Sequence, residues 1–521
     1  MSISSQIAYF SAVNTWINKP PVLAAIAYVL LTLSWPPDGF FPLIFLAFVP
    51  IWKLYAGNVR GKFWWTYLIF AAWNASTTYW IVNAHWSGAL ATTFVNGVLM
   101  ALAVHKGWQW STHYKGVWKW LVIFGTWTGV ELLHDWWSVA FPWLNLGNVF
   151  QAAPWAVQWY AWTGPAGGTL LVLGINAVVY TWMRSGQIPV RPLAVATLPF
   201  LVSLLLYWLP AEEDNGHVTV AVVQPNIDPY GDKFNLSEVV HWEKVMGIVQ
   251  GKLDGVDLLV LPETFMSDYK RMAHLERYKG VERVRAFADS TGIGVLTGTS
   301  LVDFNAPKSP RSRMAGDKHY SIYNSAMYIG PRAQTLPIYH KGKLVVGAEE
   351  MPFVNALKPI FGDFALDFGG IAGSLDISHE RKVLTPWNVA PVICWENEFS
   401  GYCTQYTRKG AQMIAVITND GWWGDTDGHV QHMHLTSLRA IENNRWAIRS
   451  ANTGISTVIT NKGKVLGQLA WDTAGVIVHD IPLKTAMTLY ARTGNIMGKG
   501  LGLLTLLLVL AIPLSKKTRS K

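Results

Sequence analysis

Two residues that follow apolar, strand-like segments could together perform nucleophilic catalysis. Glu263 follows the apolar segment 258–261, and Cys394 follows the segment 389–393. The carboxyl ends of strands are where open α/β sheets bind their ligands. A cysteine at such an end can turn its sulfur towards a cleft, and a nearby carboxylate can accept the thiol proton. The pair therefore predicts a thiol nucleophile with a carboxylate base, with a core thiol and a solvated loop acid as the alternatives.

A lysine could supply the positive charge that this chemistry needs. Lys341 and Lys343 lie in the segment 339–345, and two glutamates follow shortly afterwards. An ammonium group beside a thiolate stabilises the anion, and it can also stabilise the oxyanion of a tetrahedral intermediate. Either lysine could take this role, and the other would then be a surface residue.

Three histidines raise the alternative of a metal centre. His429, His432 and His434 have helical spacing, but no further cluster of metal ligands lies near them in the sequence. We interpret them as polar or core residues of one helix face. The thiol chemistry needs neither a metal nor a cofactor, so we expect an enzyme that holds none.

The segments around these residues alternate between two patterns, which indicates an α/β domain. Short apolar runs predict strands, and longer stretches between them predict helices. Such alternation is typical of a sheet with buried central strands. The predicted strands are 218–223, 258–261, 294–298, 325–329, 389–394, 413–418 and 457–460, and the predicted helices are 236–253, 275–291 and 428–445.

Long apolar runs outside this block predict a membrane protein. Hydrophobic residues make up 51% of the 521-residue chain, and only 14% of its residues are charged. Eight runs are candidate membrane helices, although the first two are short and could instead form one re-entrant hairpin. We favour two helices, because the charges of the loops then alternate. The runs are 21–35, 40–55, 63–82, 87–104, 117–134, 166–183, 193–209 and 498–515.

The basic residues predict the orientation of these helices. The chain has 42 Lys and Arg against 33 Asp and Glu, and the basic ones are concentrated in alternate short loops and in the tail 516–521. Basic loops stay in the cytoplasm, which places the α/β block on the outer side, the periplasm of a bacterium. This distribution explains the charge balance without nucleic-acid binding. The predicted domains are 1–210 with seven helices, 211–496 with the catalytic site, and 497–521 with the eighth helix and a cytoplasmic tail.

The loop 135–163 after the fifth helix is rich in tryptophan, and the predicted orientation places it on the outer side of the membrane. Its indole rings predict either a belt at the lipid headgroups or a surface helix that helps lipid to reach the site.

The motifs resemble those of the nitrilase superfamily and, within it, of the apolipoprotein N-acyltransferases. The superfamily triad is Glu, Lys and Cys in that order, and Glu263, Lys341 and Cys394 lie in similar segments. The resemblance covers nearly the whole chain and implies an αββα sandwich joined to a polytopic α-helical membrane bundle. The similar segments are 141–144, Gln224 with Asn226, 261–264, 339–345, 393–396, 418–424 and 449–456.

The resemblance implies roles for further residues. Glu349 and Glu396 would be accessory acids, and possible substrate-binding residues are Trp143, Asn419 and Trp422. The segment 345–349 reads Val-Val-Gly-Ala-Glu where the family commonly has Val-Pro-Phe-Gly-Glu, and Trp395 stands where a tyrosine is usual. Glu349 keeps the expected offset from Lys341, but Glu350 could support that lysine instead or as well.

The reaction implied by the resemblance is an N-acylation in two steps. Cys394 would take a fatty acyl group from a membrane phospholipid and pass it to the α-amino group of the diacylglyceryl-cysteine of an apolipoprotein. A membrane-tethered nitrilase or amidase acting on a small periplasmic amide is the first alternative, but one helix would be sufficient for it. A transporter or binding scaffold is the second, and the scarcity of charges within the helices disfavours it.

Overall fold

The chain forms two compact units, which a computed structural model describes for residues 18–187, 189–210, 216–362 and 374–518. One unit is helical and comprises Met1–Trp159, Thr163–Leu205 and Asn495–Lys521. The other is an α/β unit that comprises Tyr160–Trp162 and Leu206–Gly494. The end of the predicted basic tail, residues 519–521, lies outside the described residues.

Each of the eight predicted apolar runs overlaps a helix of the structure. Among the described residues, four helices are long and apolar enough to cross a membrane, namely Trp86–Ser111, Pro165–Ser185, Val190–Trp208 and Ile496–Pro513. That all eight cross one is still a prediction. The first seven are α1 (Pro20–Ser34), α2 (Ile44–Ala56), α3 (Lys62–Thr77), α4 (Trp86–Ser111), α5 (Val117–Leu133), α6 (Pro165–Ser185) and α7 (Val190–Trp208).

Local sequence explains the bounds and the packing of α6. Pro165 lies in its first turn, where a missing N–H costs nothing, and Gly186 ends it with a φ of 70°. In its middle, the Asn176 side chain accepts a hydrogen bond from Phe48 N at 2.8 Å and donates one to Ile44 O at 2.8 Å. A buried amide in an apolar bundle needs such partners, so Asn176 fixes α6 against α2.

Only some tryptophans of the loop 135–163 are exposed and could contact lipid headgroups. Trp136 and Trp155 are exposed, whereas Trp143 is fully buried. The Trp143 ring centroid lies 4.7 Å from that of Trp80. For Trp143 the prediction of an interfacial position is therefore wrong, because its indole fills the interior of the helical unit.

Two β-sheets form the centre of the α/β unit. Their strands are β1 (His217–Gln224), β2 (Leu258–Val260), β3 (Met266–Arg271), β4 (Gly294–Asp303), β5 (Arg313–Ala315), β6 (Lys318–Ile329), β7 (Ile338–His340), β8 (Val389–Ile393), β9 (Met413–Thr418), β10 (Ala447–Ala451), β11 (Ser456–Ile459), β12 (Val465–Leu469) and β13 (Gly475–Pro482). The first sheet has the order β13-β1-β2-β4-β6-β5, with β3 paired to β4 and β7 to β6. The second has the order β12-β11-β10-β9-β8. All seven predicted strands are among them.

Helices cover the outer faces of both sheets. The helices of this unit are α8 (Glu238–Val249), α9 (Lys279–Thr291), α10 (Val354–Phe361), α11 (Ser400–Arg408), α12 (Asp427–Asn443) and α13 (Leu489–Thr493), and α14 (Ile496–Thr518) returns to the helical unit. On the first sheet, Trp242 of α8 and Val281 of α9 pack into one apolar core with Ala221 of β1. Helices α11 and α12 pack on the second sheet. Because Ser450 Oγ donates to Val223 O at 2.7 Å between the sheets, the layers form the predicted αββα sandwich.

Candidate active site

Glu263 and Cys394 lie just beyond the carboxyl ends of β2 and β8. Strand β8 ends at Ile393, and Cys394 begins a short 3-10 turn with a left-handed φ of 45°. Thr264, directly after Glu263, has a φ of 47°. A non-glycine residue in this region costs about 1 kcal/mol, so both strand ends hold a strained turn.

A buried hydrogen-bonded cluster joins Glu263 to Lys341. Lys341 Nζ lies 2.9 Å from Glu263 Oε1 and 2.9 Å from Glu349 Oε2. The Asn324 side-chain amide donates to both carboxylates, at 2.7 Å to Glu263 and 3.0 Å to Glu349. The exposed fraction is 5% for Glu263, 1% for Lys341 and 8% for Cys394. The structure thus places the predicted base and lysine in direct contact within the protein interior.

Burial and neighbouring charges act against each other on the ionisable groups of this site. Burial raises the pKa of the Cys394 thiol well above its ordinary value, and the Glu263 carboxylate raises it further. Burial also opposes ionisation of Glu263, but Lys341 and Lys233 outweigh it, so the pKa of Glu263 is lowered. The pKa of Lys341 is raised well above its ordinary value, because Glu263 and Glu349 outweigh the effect of burial. The resting site therefore pairs a neutral thiol with an ionised carboxylate, as a general base requires.

The structure distinguishes the residues between which the sequence left a choice. Glu349 contacts Lys341, whereas Glu350 accepts a hydrogen bond from Arg311 at 2.7 Å. Lys343 Nζ lies 4.5 Å from the ring centroid of Phe399. Lys341 and Glu349 are therefore the lysine and the accessory acid that the cluster around Glu263 contains.

Glu396 connects the lysine segment to the cysteine strand. Its carboxylate accepts hydrogen bonds from Gly342 N at 2.7 Å and from Ile393 N at 2.9 Å. Gly342 follows Lys341, and Ile393 precedes Cys394. Three phenol hydroxyls also donate to this carboxylate, from Tyr339, Tyr402 and Tyr406. These contacts suit an accessory residue that positions both reactive segments without touching a substrate.

The three possible substrate-binding residues lie in different settings. Asn419 donates its backbone N–H to Glu263 Oε2 at 3.1 Å, so its main chain is part of the cluster. Trp422 is half-buried, and its ring centroid lies 5.0 Å from that of Tyr230 in a perpendicular contact. Trp143 belongs to the helical unit and is buried there. A substrate-binding role for each of the three is still a prediction.

Four polar residues that sequence analysis did not assign form a network behind Cys394. His432 Nε2 lies 3.3 Å from Cys394 O, and His432 Nδ1 lies 2.9 Å from Arg449 Nη2 and 3.1 Å from Asp420 Oδ1. Arg449 also pairs with Asp420, which accepts a hydrogen bond from Thr418 Oγ1 at 2.7 Å. Burial lowers the pKa of His432, and Arg449 lowers it further. A neutral His432 can accept from Arg449 while it donates to Cys394, so it holds the backbone of the strained turn.

The structure shows where the histidines of α12 lie. Among the residues that the structure describes, no group of three or more His, Cys, Asp or Glu side chains could hold a metal ion. His432 is fully buried in the network around Cys394, and His434 is partly exposed.

Replacing His432 with alanine is expected to destabilise the protein by about 1–3 kcal/mol, because a buried carbonyl and a buried arginine each lose a partner. His434→Ala on the same helix is the matched control, and we expect a smaller change there because its side chain reaches solvent. Thermal unfolding of the full chain in detergent measures both variants. Equal losses of stability would contradict the role given to His432.

Gly298 allows the backbone of Glu263 to approach β4. A Cβ atom at Gly298 would lie 2.4 Å from Thr264 N and 2.6 Å from the Glu263 Cα. Gly298→Ala must therefore displace the base, and a shift of about 1 Å costs roughly 100-fold in rate. We expect a loss of this size in acylation of Cys394, measured by intact mass. Gly467→Ala in β12 is the control, since a Cβ there has open space; a similar loss in that variant would argue against displacement of Glu263.

Comparison with known proteins agrees with the two-unit organisation. Residues 219–490 match the carbon-nitrogen hydrolase family, and residues 27–178 match the N-terminal domain of apolipoprotein N-acyltransferase. The chain is 27% identical to an apolipoprotein N-acyltransferase of Chlorobaculum tepidum, covering 93% of this chain and 94% of that protein. It is 26% identical to one of Geobacter metallireducens, covering 91% and 92%. A solved amidase of Nesterenkonia sp. AN1 is 17% identical with a TM-score of 0.37, covering 53% of this chain and 96% of the amidase.

Proposed function

The chain belongs to the carbon-nitrogen hydrolase family, and we propose that it is an apolipoprotein N-acyltransferase that works through a thioester on Cys394. One observation carries this proposal: Glu263, Lys341 and Glu349 form a single buried cluster, and the charges of Glu263 and Lys341 act on the Cys394 thiol. The N-terminal acyltransferase domain in the same chain supports acyl transfer over amide hydrolysis.

In the first half-reaction, Cys394 attacks the ester carbonyl of a membrane phospholipid. The thiol proton moves to Glu263 while the carbon–sulfur bond forms, and the Lys341 ammonium group stabilises the resulting oxyanion. Collapse of this intermediate breaks the carbon–oxygen bond of the ester. Glu263 returns the proton to the leaving oxygen, and a lysophospholipid departs from the acylated Cys394.

In the second half-reaction, the acceptor is the free α-amino group of an apolipoprotein's N-terminal diacylglyceryl-cysteine. The amine attacks the thioester carbonyl and releases a proton to Glu263. The carbon–sulfur bond then breaks, Glu263 protonates the departing thiolate, and the product carries an amide. The site returns to a neutral thiol beside an ionised carboxylate, ready for the next donor.

The helical unit gives such an enzyme access to apolar substrates. Both substrates carry acyl chains, and transfer of a chain into water costs about 0.8 kcal/mol for each CH₂ group. An enzyme embedded in the membrane avoids much of this cost. The alternating basic loops support a bacterial inner-membrane protein with eight spanning helices, a periplasmic α/β unit and a cytoplasmic C-terminus.

A two-stage experiment tests the proposal. The purified full chain is first incubated with micelles of phosphatidylethanolamine and phosphatidylglycerol, and intact mass spectrometry follows the protein. We expect a fatty acyl adduct that hydroxylamine removes. A synthetic diacylglyceryl-cysteine peptide with a free α-amine is then added, and we expect the adduct to disappear as the peptide gains the acyl mass.

The matched control is the same peptide with an acetylated α-amine, which is expected to leave the adduct in place. Butyramide serves as a probe for the amidase alternative, with released ammonia as the readout. Absence of an adduct together with hydrolysis of butyramide would contradict acyl transfer and favour the amidase.

A further inference from the structure

A buried lysine that the two half-reactions do not use lies beside the triad. Lys233 follows β1 in the short helix Asp232–Asn235, and only 3% of its surface is exposed. Its Nζ donates to the backbone oxygen of Glu263 at 3.3 Å. Charged lysines are almost never fully buried unless they are paired, so its burial at this point calls for a compensating charge.

The main chain of Lys233 is held on both sides. Its N–H donates to Asp228 O at 3.0 Å, and its carbonyl accepts from Ser267 Oγ at 2.8 Å. Ser267 lies in β3, whereas Asp228 lies in the loop after β1. The ammonium group is therefore placed by a fixed backbone, and its position next to Glu263 is a built feature of the unit.

Without Lys233, the negative charges of the cluster around Glu263 outnumber the positive ones. Two carboxylates, Glu263 and Glu349, share the single ammonium group of Lys341, which leaves one negative charge uncompensated in a buried site. An uncompensated buried charge is strongly destabilising. Lys233 interacts electrostatically with Glu263 and with Cys394, so its charge offsets the excess.

We propose that Lys233 is a positioning residue that keeps the site electrically balanced while the proton moves from Cys394 to Glu263. Before the proton transfer, Lys233 compensates a negative charge on Glu263. After the transfer, that negative charge lies on the sulfur of Cys394 and then on the substrate oxyanion. No atom is gained or lost in this transfer. Because Lys233 acts on both ends, it stabilises the charge in each state, as a preorganised environment must.

Four ionisable groups from separate elements face Lys233. They are Glu263 after β2, Lys341 after β7, Cys394 after β8 and His241 on α8. Burial lowers the pKa of Lys233 to about 8, Glu263 and Cys394 act to raise it, and Lys341 acts to lower it. Its charge is therefore present at neutral pH and disappears as the pH rises through about 8.

The experiment measures the pH dependence of Cys394 alkylation by iodoacetamide in the full-length protein, with peptide mapping to separate Cys394 from Cys403. Loss of the Lys233 charge disfavours the thiolate. In Lys233→Met we expect alkylation at pH 7 to slow at least about tenfold, and we expect the difference from the natural protein to shrink above pH 8, where Lys233 itself loses its charge. Lys233→Gln is measured as well, in case the methionine variant does not fold.

Three further variants separate charge from structure. Lys270→Met is the matched control, because Lys270 is a fully buried lysine that pairs with Glu238; we expect the profile of Cys394 to stay unchanged. Lys233→Arg keeps the charge and should restore at least half of the alkylation rate lost at pH 7. In the double variant Lys233→Met with Glu349→Gln, removal of one negative charge should return the rate at pH 7 towards its natural value.

An unchanged alkylation rate at pH 7 in both Lys233→Met and Lys233→Gln would overturn the proposal, as would a double variant that shows no recovery of that rate. The role in acyl transfer rests on the proposed function, but the alkylation profile does not. If Lys233 shifts the profile while the natural protein never takes an acyl group from phospholipid, the proposed function fails and the role of Lys233 stands.

Discussion

Replacing Cys394 with alanine is expected to remove the acyl adduct and to lower the release of lysophospholipid by at least about 10,000-fold. A nucleophile that forms a covalent intermediate has no substitute, and loss of such a residue elsewhere costs up to about a million-fold. The variant keeps Glu263, Lys341 and Glu349, so any remaining turnover comes from direct attack of the amine or of water on the ester. Intact mass and a lysophospholipid assay measure the two effects separately.

Cys403→Ala is the matched control for this variant. Cys403 is also a free, buried thiol, and its Sγ lies 3.5 Å from Glu396 O. Burial raises the pKa of Cys403, although the charge of Arg439 acts to lower it. We expect the adduct to persist in Cys403→Ala. An adduct that survives in Cys394→Ala and disappears in Cys403→Ala would show that the nucleophile is Cys403 and not Cys394.

Strand ends were the part of the site that the sequence could predict. Glu263 and Cys394 each follow a run of residues that are buried throughout, and apolar runs of this length indicate central strands. Because open α/β sheets bind their ligands at the carboxyl ends of the strands, polar residues in those places are candidates for chemistry. Lys341 does not follow a buried apolar run of this kind. It shares its segment with Lys343, and only the fold shows which lysine points at Glu263.

The residues that were missed are polar groups whose partners lie far away in the sequence. Asn324 is a single amide within the long, mostly apolar strand β6, and that interruption was the only sign of it. Strand β10 was missed because Arg449 and Ser450 make it read as polar. Arg449 is buried there by its ion pair with Asp420, which no local pattern contains.

Lys233 lies in the short helix Asp232–Asn235, which is too short to show a periodic pattern, so the sequence offered no reason to bury it. Its proximity to Glu263 depends on the fold, because the segment after β1 must lie over the end of β2 before Lys233 can reach Glu263. The apolar runs of the helical unit are the opposite case. Their hydrophobicity is a local property, and each of the eight predicted runs is a helix in the structure.

Replacing Glu263 with glutamine is expected to lower the rate of Cys394 acylation by about 1,000-fold. General-base removal costs about 100- to 10,000-fold, and a thiol whose pKa is raised by burial depends strongly on its base. Glutamine keeps the size of the side chain, and its oxygen can still accept from Lys341. The loss therefore reports proton transfer rather than packing. Single-turnover acylation followed by intact mass measures it.

Glu350→Gln is the matched control, because this neighbouring acid binds Arg311 outside the cluster. We expect acylation within about threefold of the natural rate in that variant, in line with the small effect of most substitutions away from a site. The pH profile adds a second test. Ionised Glu263 is needed for attack, and its pKa is lowered, so the natural protein should stay active well below pH 7. If Glu263→Gln kept the natural rate and the same profile, Cys394 would have to lose its proton to another base, and Glu349 on the far side of Lys341 would be the carboxylate to examine.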